Sequence, residues 1–334
     1  MALKKLFKTI FFKIRIFFEI YFLVFEKFKI FLKWLIKISA FLSKKTVNIK
    51  YLIKKGDVLS KLTFGGEIYT LKQKKDINNL NFKHLPEGKY KIPNHNIFII
   101  KNGIVEAGTN SIFSSDGKRI SGINFQELPF DFKVISGFKK INIEYLEGAL
   151  LVLGVGTIEK NYSHAWTEFA ARAYATKISK INYDYILIDH DSKFIRQILE
   201  LIKLPLDKII FSKNYQYIKA KRLIYPELIN NFKLYFLNGT NVYHRKYLPS
   251  WLKLLYREVS SKVNSSDLIH SFEKIYISRR NKSERIIINE DELIMSLKNL
   301  DFRTIYFEDY SVHDQIYIMK CSKQIVAIHG AGLV

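Results

Sequence analysis

Three arginines and a glycine-rich turn near the end of the chain have the side chains and the placement needed to bind a phosphate group. Arg279, Arg280 and Arg285 follow one apolar run that is typical of a strand, and Gly330 and Gly332 follow another. Arginine offers forked donors to phosphate oxygens, and glycine lets the backbone approach a diphosphate closely. Each signal alone is weak, but their shared position after strands predicts a phosphate pocket.

His164, Glu168 and Arg172 follow one another at intervals of four residues, which places them along one face of a helix. Asn161 or Ser163 can cap the start of that helix. A carboxylate beside a histidine fixes the tautomer of the imidazole, and either group could accept a proton from a hydroxyl nucleophile. Spacing alone favours the simpler interpretation, which is a structural ion ladder on an exposed helix.

The elements that must carry these residues alternate between strands and helices. Apolar runs predict strands at Leu150 to Leu153, Tyr185 to Ile188, Lys208 to Phe211, Lys274 to Ser278, Phe302 to Phe307 and Gln324 to Ile328. Helices are predicted at Lys193 to Ile202, Pro249 to Val263, Asp291 to Asn299 and Val312 to Cys321. This order predicts an α/β fold whose parallel sheets carry active groups at the carboxyl ends of their strands.

The composition is strongly basic, with a formal net charge of +23 over 334 residues. Such a charge requires a phosphate-bearing or otherwise acidic partner to be considered. However, Lys, Ile, Asn, Phe and Tyr are over-used together, as codon bias alone would produce. The charge outside the N-terminus is scattered, so a nucleic-acid partner is not predicted. Cys321 is the only cysteine, which excludes a disulfide framework or a site built on several thiolates and fits a reducing cytoplasm.

The first 45 residues predict a helix that lies on a membrane surface. Residues 1–50 contain twelve lysines and arginines against Glu19 and Glu26, and a Phe-rich face with Trp34 lies opposite a basic stripe. A spanning helix needs about 20 uninterrupted apolar residues, and charges interrupt every such window here. We expect peripheral attachment to an anionic inner leaflet. The two competing interpretations are a helix packed on the body of the protein and a signal peptide.

The segment from about 46 to 150 reads as short strands and turns without evident chemistry. His84 and His95 are isolated there, and we expect both to be ordinary surface or turn residues. Gly154 and Gly156 form a lone GxG that lacks the third glycine of a dinucleotide-binding turn, so we reject that function.

The C-terminal pieces together resemble glycosyltransferase family 61. The resemblance rests on Tyr276-Ile-Ser-Arg-Arg, Arg285, Asn289-Glu-Asp-Glu-Leu, Glu308, Ser311, Asp314-Gln and His329-Gly-Ala-Gly-Leu, together with Asn161-Tyr-Ser-His-Ala-Trp-Thr-Glu upstream. It covers about 160 to 334, and nothing before 150 is recognisable.

That resemblance implies a GT-B-like fold of two facing Rossmann-type domains, inversion at the anomeric carbon and a nucleotide-sugar donor. It assigns His164 or Glu168 as the general base and Glu308 as a ribose contact. The remaining residues of the implied donor site are Arg279, Arg280, Arg285, His329, Gly330, Ala331 and Gly332. No cofactor is implied, because arginine and backbone N–H groups can stabilise the negative charge of the diphosphate.

Asp189 and Asp191 carry an alternative chemistry. They follow a predicted strand and flank His190, like the DxD pair with which another class of glycosyltransferases holds a divalent metal. Two aspartates at this position are also common as a helix cap and turn, so a metal site is the second choice.

The predicted organisation is a membrane-surface helix at 1–45, an acceptor-side α/β domain at 46–248 and a donor-binding domain at 249–334. Chains of the family continue beyond the HGAGL motif, so we expect this sequence to be a piece of a longer gene product, or else a degenerate relative. The leading function is an inverting glycosyltransferase that builds cell-surface polysaccharide, such as capsule or lipopolysaccharide, at the cytoplasmic leaflet. Its acceptor would be a glycan or a lipid-linked glycan. The alternative from a different class is a non-catalytic, membrane-bound or polysaccharide-binding relative.

Overall fold

A computed structural model of the protein describes most of the chain after its N-terminal segment. The described residues are 46–71, 88–92, 94–122, 142–154, 161–229, 234–236, 242–243, 249–264, 272–281 and 286–328. The predicted membrane-surface helix at 1–45 lies outside these residues and stays a prediction. Within the described ranges, no helix is both long enough and apolar enough to cross a bilayer.

The largest sheet has ten strands and is mixed. Its strands are β1 (Thr46–Asn48), β2 (Val58–Phe64), β5 (His95–Lys101), β6 (Ile104–Glu106), β7 (Ile112–Phe113), β8 (Arg119–Ser121), β9 (Ile143–Val152), β10 (Tyr185–Ile188), β11 (Ile209–Phe211) and β12 (Tyr217–Pro226). At its centre, β12, β9, β10 and β11 are neighbours in that order and all run parallel. On the other side of β12, strands β5 and β6 run antiparallel to it. Ile224 is in register with both Leu151 of β9 and Ile99 of β5.

The parallel strands are apolar on both faces because both faces are covered. Along β9, Leu150 and Val152 pack into one core cluster with residues of β7 and β8. Leu151 and Leu153 point the other way, into a cluster with the helices. This alternation explains the continuous apolar run at the end of β9, since successive side chains of a strand point to opposite faces.

Six helices accompany the sheets in the described part of the chain. They are α1 (Ile49–Lys55), α2 (α-helical at Tyr162–His164 and Ala171–Ile178, with the π-helical turn Ala165–Ala170 between them), α3 (Lys193–Ile202), α4 (Leu252–Lys262) and α5 (Glu290–Lys298), followed near the end by a sixth, α6 (Val312–Cys321). Helix α3 begins where the Ser192 side chain accepts a hydrogen bond from the Ile195 N–H and ends at Lys203, which is left-handed.

A three-stranded parallel sheet follows in the C-terminal part, with the order β16, β15, β17. Its strands are β15 (Lys274–Ile277), β16 (Arg303–Ile305) and β17 (Gln324–Ala327). It has its own core cluster of Phe272, Ile275, Ile277, Ile305 and Ile318. A separate antiparallel sheet joins β14 (Val242–Tyr243), β13 (Leu234–Phe236), β4 (Gly88–Ile92) and β3 (Glu67–Leu71) in that order.

Helix α6 joins the C-terminal sheet to the helical layer of the large sheet. The Val312 N–H donates to Gln197 Oε1 of α3 at 3.1 Å, and Lys320 Nζ donates to the Val263 carbonyl at 2.9 Å. The side chain of Val312 belongs to the core cluster of the large sheet.

The α/β class is as the sequence predicts, and so is the parallel pairing of β10 with β9 and β11 and of β15 with β16 and β17. The predicted ranges for β10, α3 and α6 agree with the observed ones. Of the others, β9 is longer than predicted, α5 is shifted by one residue, and the rest are shorter at their ends. Strands β5 and β6 pair with β12 in antiparallel orientation and make the large sheet mixed, which the βαβ pattern did not indicate. A GT-B arrangement of two facing domains and the boundaries at 45 and 248 stay predictions.

Candidate active site

The first candidate site lies where the parallel strands of the large sheet end. Strands β9, β10 and β12 are in register here, with Leu151 beside Ile186 and Ile224. Ligands of α/β proteins bind at this carboxyl edge, because loops and helix starts converge there. The residues that follow β9, β10 and β12 and those that begin the antiparallel β5 therefore share one edge.

Helix α2 begins at Asn161, which is one of the two caps that the sequence offers. The Asn161 side chain accepts a hydrogen bond from the Ser163 N–H at 3.0 Å and another from the Ser163 hydroxyl at 2.9 Å. His164 is partly buried in the first turn. The first turn is fixed by aromatic packing, in which Tyr162 contacts the rings of Trp166 and Phe194.

The middle of α2 widens into a π-helical turn from Ala165 to Ala170. Such turns are rare and occur frequently at functional sites. Glu168 lies in this turn with only 1% of its surface exposed, and it accepts a hydrogen bond from the Ile229 N–H at 3.0 Å. The expectation of an ion ladder on an exposed helix is therefore wrong, because the face that carries Glu168 is covered by the chain after β12.

Arg172 is completely buried and bonds to the ends of two parallel strands. Its guanidinium donates to the carbonyls of Val152 at 2.8 Å, Leu153 at 2.9 Å and Pro226 at 3.0 Å. The guanidinium carbon also lies 5.0 Å from the centre of the Tyr225 ring. Carbonyls at strand ends need donors when they are buried, and one arginine supplies several. Arg172 thus fixes the carboxyl edge of the sheet.

His95 belongs to the same edge, contrary to the expectation of a surface residue. It is 1% exposed, and its Nε2 lies 3.0 Å from the Glu227 carbonyl. The ring lies 5.4 Å from that of Trp251. Burial, opposed by the hydrogen bond to Glu227 and reinforced by the charge of Arg172, lowers the pKa of His95 to about 4. Sequence reasoning missed His95 because nothing near it in the chain marks it as special.

The carboxylate of Glu227 is fixed beside it. Glu227 Oε2 accepts hydrogen bonds from the Asn96 N–H at 2.9 Å and from the Asn96 side-chain amide at 3.0 Å. Burial raises the pKa of Glu227, and the bonds from Asn96 partly oppose this shift. The edge therefore contains both a neutral histidine and a carboxyl group whose charge is disfavoured.

Asp189 and Asp191 have separate partners. Asp189 Oδ2 accepts a hydrogen bond from the Asn110 side chain at 2.6 Å. Asp191 forms a two-point ion pair with Arg196, at 2.7 and 3.0 Å, and this hydrogen bonding lowers the pKa of Asp191. Among the described residues, no group of three His, Cys, Asp or Glu side chains is arranged to hold a metal ion.

Gly154 has a packing role in this arrangement. A Cβ added to Gly154 would lie 2.7 Å from the Asp189 carboxylate, so a larger residue would displace that side chain. The first glycine of the lone GxG thus allows close packing between the ends of β9 and β10, whatever else the loop binds. Residues 155–160 lie outside the described part of the chain.

The second candidate site is the carboxyl edge of the C-terminal sheet. Because β15, β16 and β17 are parallel, Arg279 after β15 and Glu308 after β16 leave the sheet at the same edge. Arg279 is partly buried, and Glu308 is exposed on the short 3-10 turn Phe307–Asp309. Of the other predicted donor residues, Arg285 and those from His329 to Gly332 lie outside the described residues.

Arg280 is engaged with acidic residues at the start of α5. Its Nε donates to Glu290 Oε2 at 3.1 Å, and it also forms an ion pair with Asp291. Glu290 is 4% exposed and accepts further hydrogen bonds from the hydroxyls of Tyr276 at 2.5 Å and Ser278 at 2.7 Å. Burial alone would raise the pKa of Glu290, but these hydrogen bonds and the charge of Arg280 outweigh it and hold the pKa below its usual value.

Parallel strands in two sheets, with polar side chains at their carboxyl ends, define an α/β protein with the usual ligand-binding geometry of that class. The sequence model described as Glycosyltransferase 61 matches residues 162–334, slightly more than half of the chain. The chain therefore belongs to glycosyltransferase family 61, as its motifs predict, and glycosyltransferase activity in general follows from this membership. A search among curated proteins gave no match.

Proposed function

We propose that this glycosyltransferase inverts the anomeric centre as it moves a sugar from a nucleotide-sugar donor to a hydroxyl of a glycan or lipid-linked acceptor. The observation that carries the proposal is the placement of His164. It lies in the first turn of a helix whose next turns are fixed by Glu168 and Arg172 to the ends of parallel strands. A side chain on so rigid a support can be held at a defined position, which proton transfer requires.

His164 is the better general base of the two candidates. Glu168 is buried, and its carboxylate is committed to the Ile229 N–H, whereas His164 is partly exposed. A general base must come within hydrogen-bond reach of the acceptor hydroxyl, which a 1% exposed group cannot do without a rearrangement. Glu168 then supports the helix that carries the base.

The proposed reaction is a single displacement. His164 accepts the proton of the acceptor hydroxyl while the oxygen attacks the anomeric carbon from the side opposite the diphosphate. The bond from that carbon to the diphosphate oxygen breaks, and the nucleoside diphosphate leaves with the electron pair. Arg279 would donate hydrogen bonds to the leaving diphosphate and stabilise its growing negative charge. Glu308 would accept a hydrogen bond from the ribose. The predicted turn from His329 to Gly332 would supply backbone N–H groups at the same edge.

A metal-dependent reaction at Asp189 and Asp191 is not favoured. Asp191 is paired with Arg196, and Asp189 Oδ2 accepts a hydrogen bond from Asn110. A shared divalent ion would need both carboxylates to exchange these partners for the metal. The arginine-based donor site needs no such exchange.

The test of this proposal is a transfer assay on the full chain with UDP, GDP and CMP sugars. The His164→Ala variant is expected to lower kcat by about 10²- to 10⁴-fold, because proton transfer by a positioned base contributes that much. Donor affinity and thermal stability should change little. The matched control is His313→Ala, a partly exposed histidine on a different helix, α6. Full activity of His164→Ala would exclude His164 as the base, and no turnover of any sugar by the wild type would contradict the donor class.

We also propose that the N-terminal segment holds the enzyme on the inner face of the membrane, where it contributes to cell-surface polysaccharide. The support is the basic and Phe-rich composition of residues 1–45. Sedimentation with vesicles should show binding that is strong for phosphatidylglycerol and weak for phosphatidylcholine. Replacing Lys4, Lys8 and Arg15 with glutamate should weaken that binding, since each nearby cation contributes about 1 kcal/mol. Equal binding to both lipids would argue against an electrostatic surface helix.

A further inference from the structure

The two adjacent arginines after β15 have unequal surroundings, although the sequence places them side by side. Tyr276, Ser278 and Arg280 alternate along the chain, and all three donate to the same carboxylate, Glu290. In an extended chain, residues two apart share a side and the residue between them points to the other. Arg279 therefore lies on the opposite side of the chain from Arg280.

From this we infer that Arg280 is a structural residue held by Glu290, and that Arg279 is the one of the two that contacts the donor diphosphate. The inference rests on the proposed function, since it assigns different roles to two arginines of the predicted donor site. It changes the assignment of Arg280, which the sequence motif alone groups with the donor-binding residues.

Separating Arg280 from Glu290 would cost considerable free energy. The carboxylate is 4% exposed, and its partners among the described residues are two hydroxyls and one guanidinium. A buried carboxylate that loses a cationic partner keeps its charge in a poorly solvated place. A diphosphate that recruited Arg280 would create that situation. Asp291 adds a second acidic partner for the same guanidinium.

The network also explains how the loop after β15 is fixed. The Ser278 N–H donates to the Ile305 carbonyl at 3.0 Å, so pairing with β16 continues one residue past the strand. The Arg280 N–H donates to Ser278 Oγ at 3.1 Å, which turns the chain immediately afterwards. Because Glu290 begins α5, one carboxylate connects the strand, the turn and the next helix. The backbone on both sides of Arg279 is therefore held in place.

The experiment compares binding of nucleoside diphosphates and monophosphates (UDP and UMP, GDP and GMP) by calorimetry on the full chain. The ratio of the two affinities isolates the contact to the second phosphate. Arg279→Ala should lower that ratio by about tenfold or more, as the loss of one charge-assisted hydrogen bond would. Arg280→Ala should lower Tm and leave the ratio within about threefold of wild type. Arg257→Ala, on the exposed face of α4, is the control for removing a positive charge.

A thermal double-mutant cycle tests the structural half independently. The Tm losses of Arg280→Lys and Glu290→Gln should be strongly non-additive, since both changes break the same network, whereas those of Arg279→Lys and Glu290→Gln should add. These conservative variants keep the comparison valid if an alanine variant fails to fold. An equal loss of the affinity ratio in Arg279→Ala and Arg280→Ala, or additive Tm losses for Arg280→Lys and Glu290→Gln, would overturn the inference. If the wild type binds none of the nucleotides, the proposed donor site fails and the role of Arg279 with it, while the thermal cycle still decides the role of Arg280.

Discussion

In the large sheet and in the C-terminal sheet, the carboxyl ends of the parallel strands are each organised by a buried charged side chain, but the charges have opposite signs. At the large sheet, Arg172 donates to backbone carbonyls of β9 and β12. At the C-terminal sheet, Glu290 accepts from side chains of β15 and lies at the start of a helix. The sign follows the groups that must be satisfied: strand ends present carbonyl oxygens, while a helix N-terminus favours an anion.

The two edges also differ in how their partners are supplied. Arg172 bonds to main-chain atoms that no substitution can remove, so the edge it fixes is independent of most side chains. Glu290 depends on Tyr276, Ser278 and Arg280, each of which can be changed. We therefore expect the arrangement of the large-sheet edge to depend little on neighbouring side chains, and that of the C-terminal edge to depend on them strongly.

Replacement of the buried Arg172 is expected to have the largest effect on stability and so tests the difference between the two edges most directly. Arg172→Met should destabilise the protein by about 4 kcal/mol, because several buried carbonyls lose their donor at once. Arg172→Lys should recover only part of this, since an ammonium cannot reproduce the forked geometry. Urea denaturation followed by circular dichroism measures both, with Arg257→Met as the control. If Arg172→Met cost no more than Arg280→Met, the two edges would not differ as described.

The buried His95 should make the stability of the large-sheet edge depend on pH, which distinguishes this edge from the C-terminal one. His95 has a folded pKa of about 4 against an ordinary value of 6.5, so between these values the unfolded chain binds a proton that the folded chain does not. Stability is therefore lost as the pH falls from 6.5 to 4, by roughly 3 kcal/mol from this group. Glu227, whose pKa is raised, acts in the opposite direction.

The difference between wild type and His95→Gln is therefore the quantity to measure. Urea titrations at pH 7 and pH 4.5 should show a larger loss of stability on acidification for the wild type than for the variant, in which the side chain at 95 carries no titratable group. Parallel curves for the two proteins would mean that His95 is protonated in the folded state, and that this edge is wetter than its burial indicates.

The smallest effect is expected at the exposed ion pair between Asp191 and Arg196. Its geometry is good, with contacts of 2.7 and 3.0 Å, but both side chains are well exposed to solvent. Solvent and salt screen such pairs. Arg196→Gln should leave the urea midpoint within experimental error, in contrast to changes at Arg172. A clear loss of stability would show that the segment after β10 is part of the rigid edge.

The sequence by itself determined which segments form strands and helices. Apolar runs of four residues placed β10, and the spacing of apolar residues together with Ser192 placed α3, because strand and helix periods are local properties. The same patterns predicted that Arg279 follows a strand at the carboxyl edge of a parallel sheet, and the family resemblance added Glu308 to the same predicted site. The motifs from 276 to 333, with the upstream segment at 161, also predicted the family, which the match over residues 162–334 confirms.

Only the tertiary structure decided which side of each element is buried and by what. The spacing of His164, Glu168 and Arg172 fits both an exposed ladder and a buried one, and the choice is made by Pro226 and Ile229, more than fifty residues along the chain. His95 and Glu227 are likewise brought together only when β5 pairs with β12. The repeating pattern of a helix or strand describes one element at a time, whereas burial and pKa depend on contacts between elements that are distant in sequence.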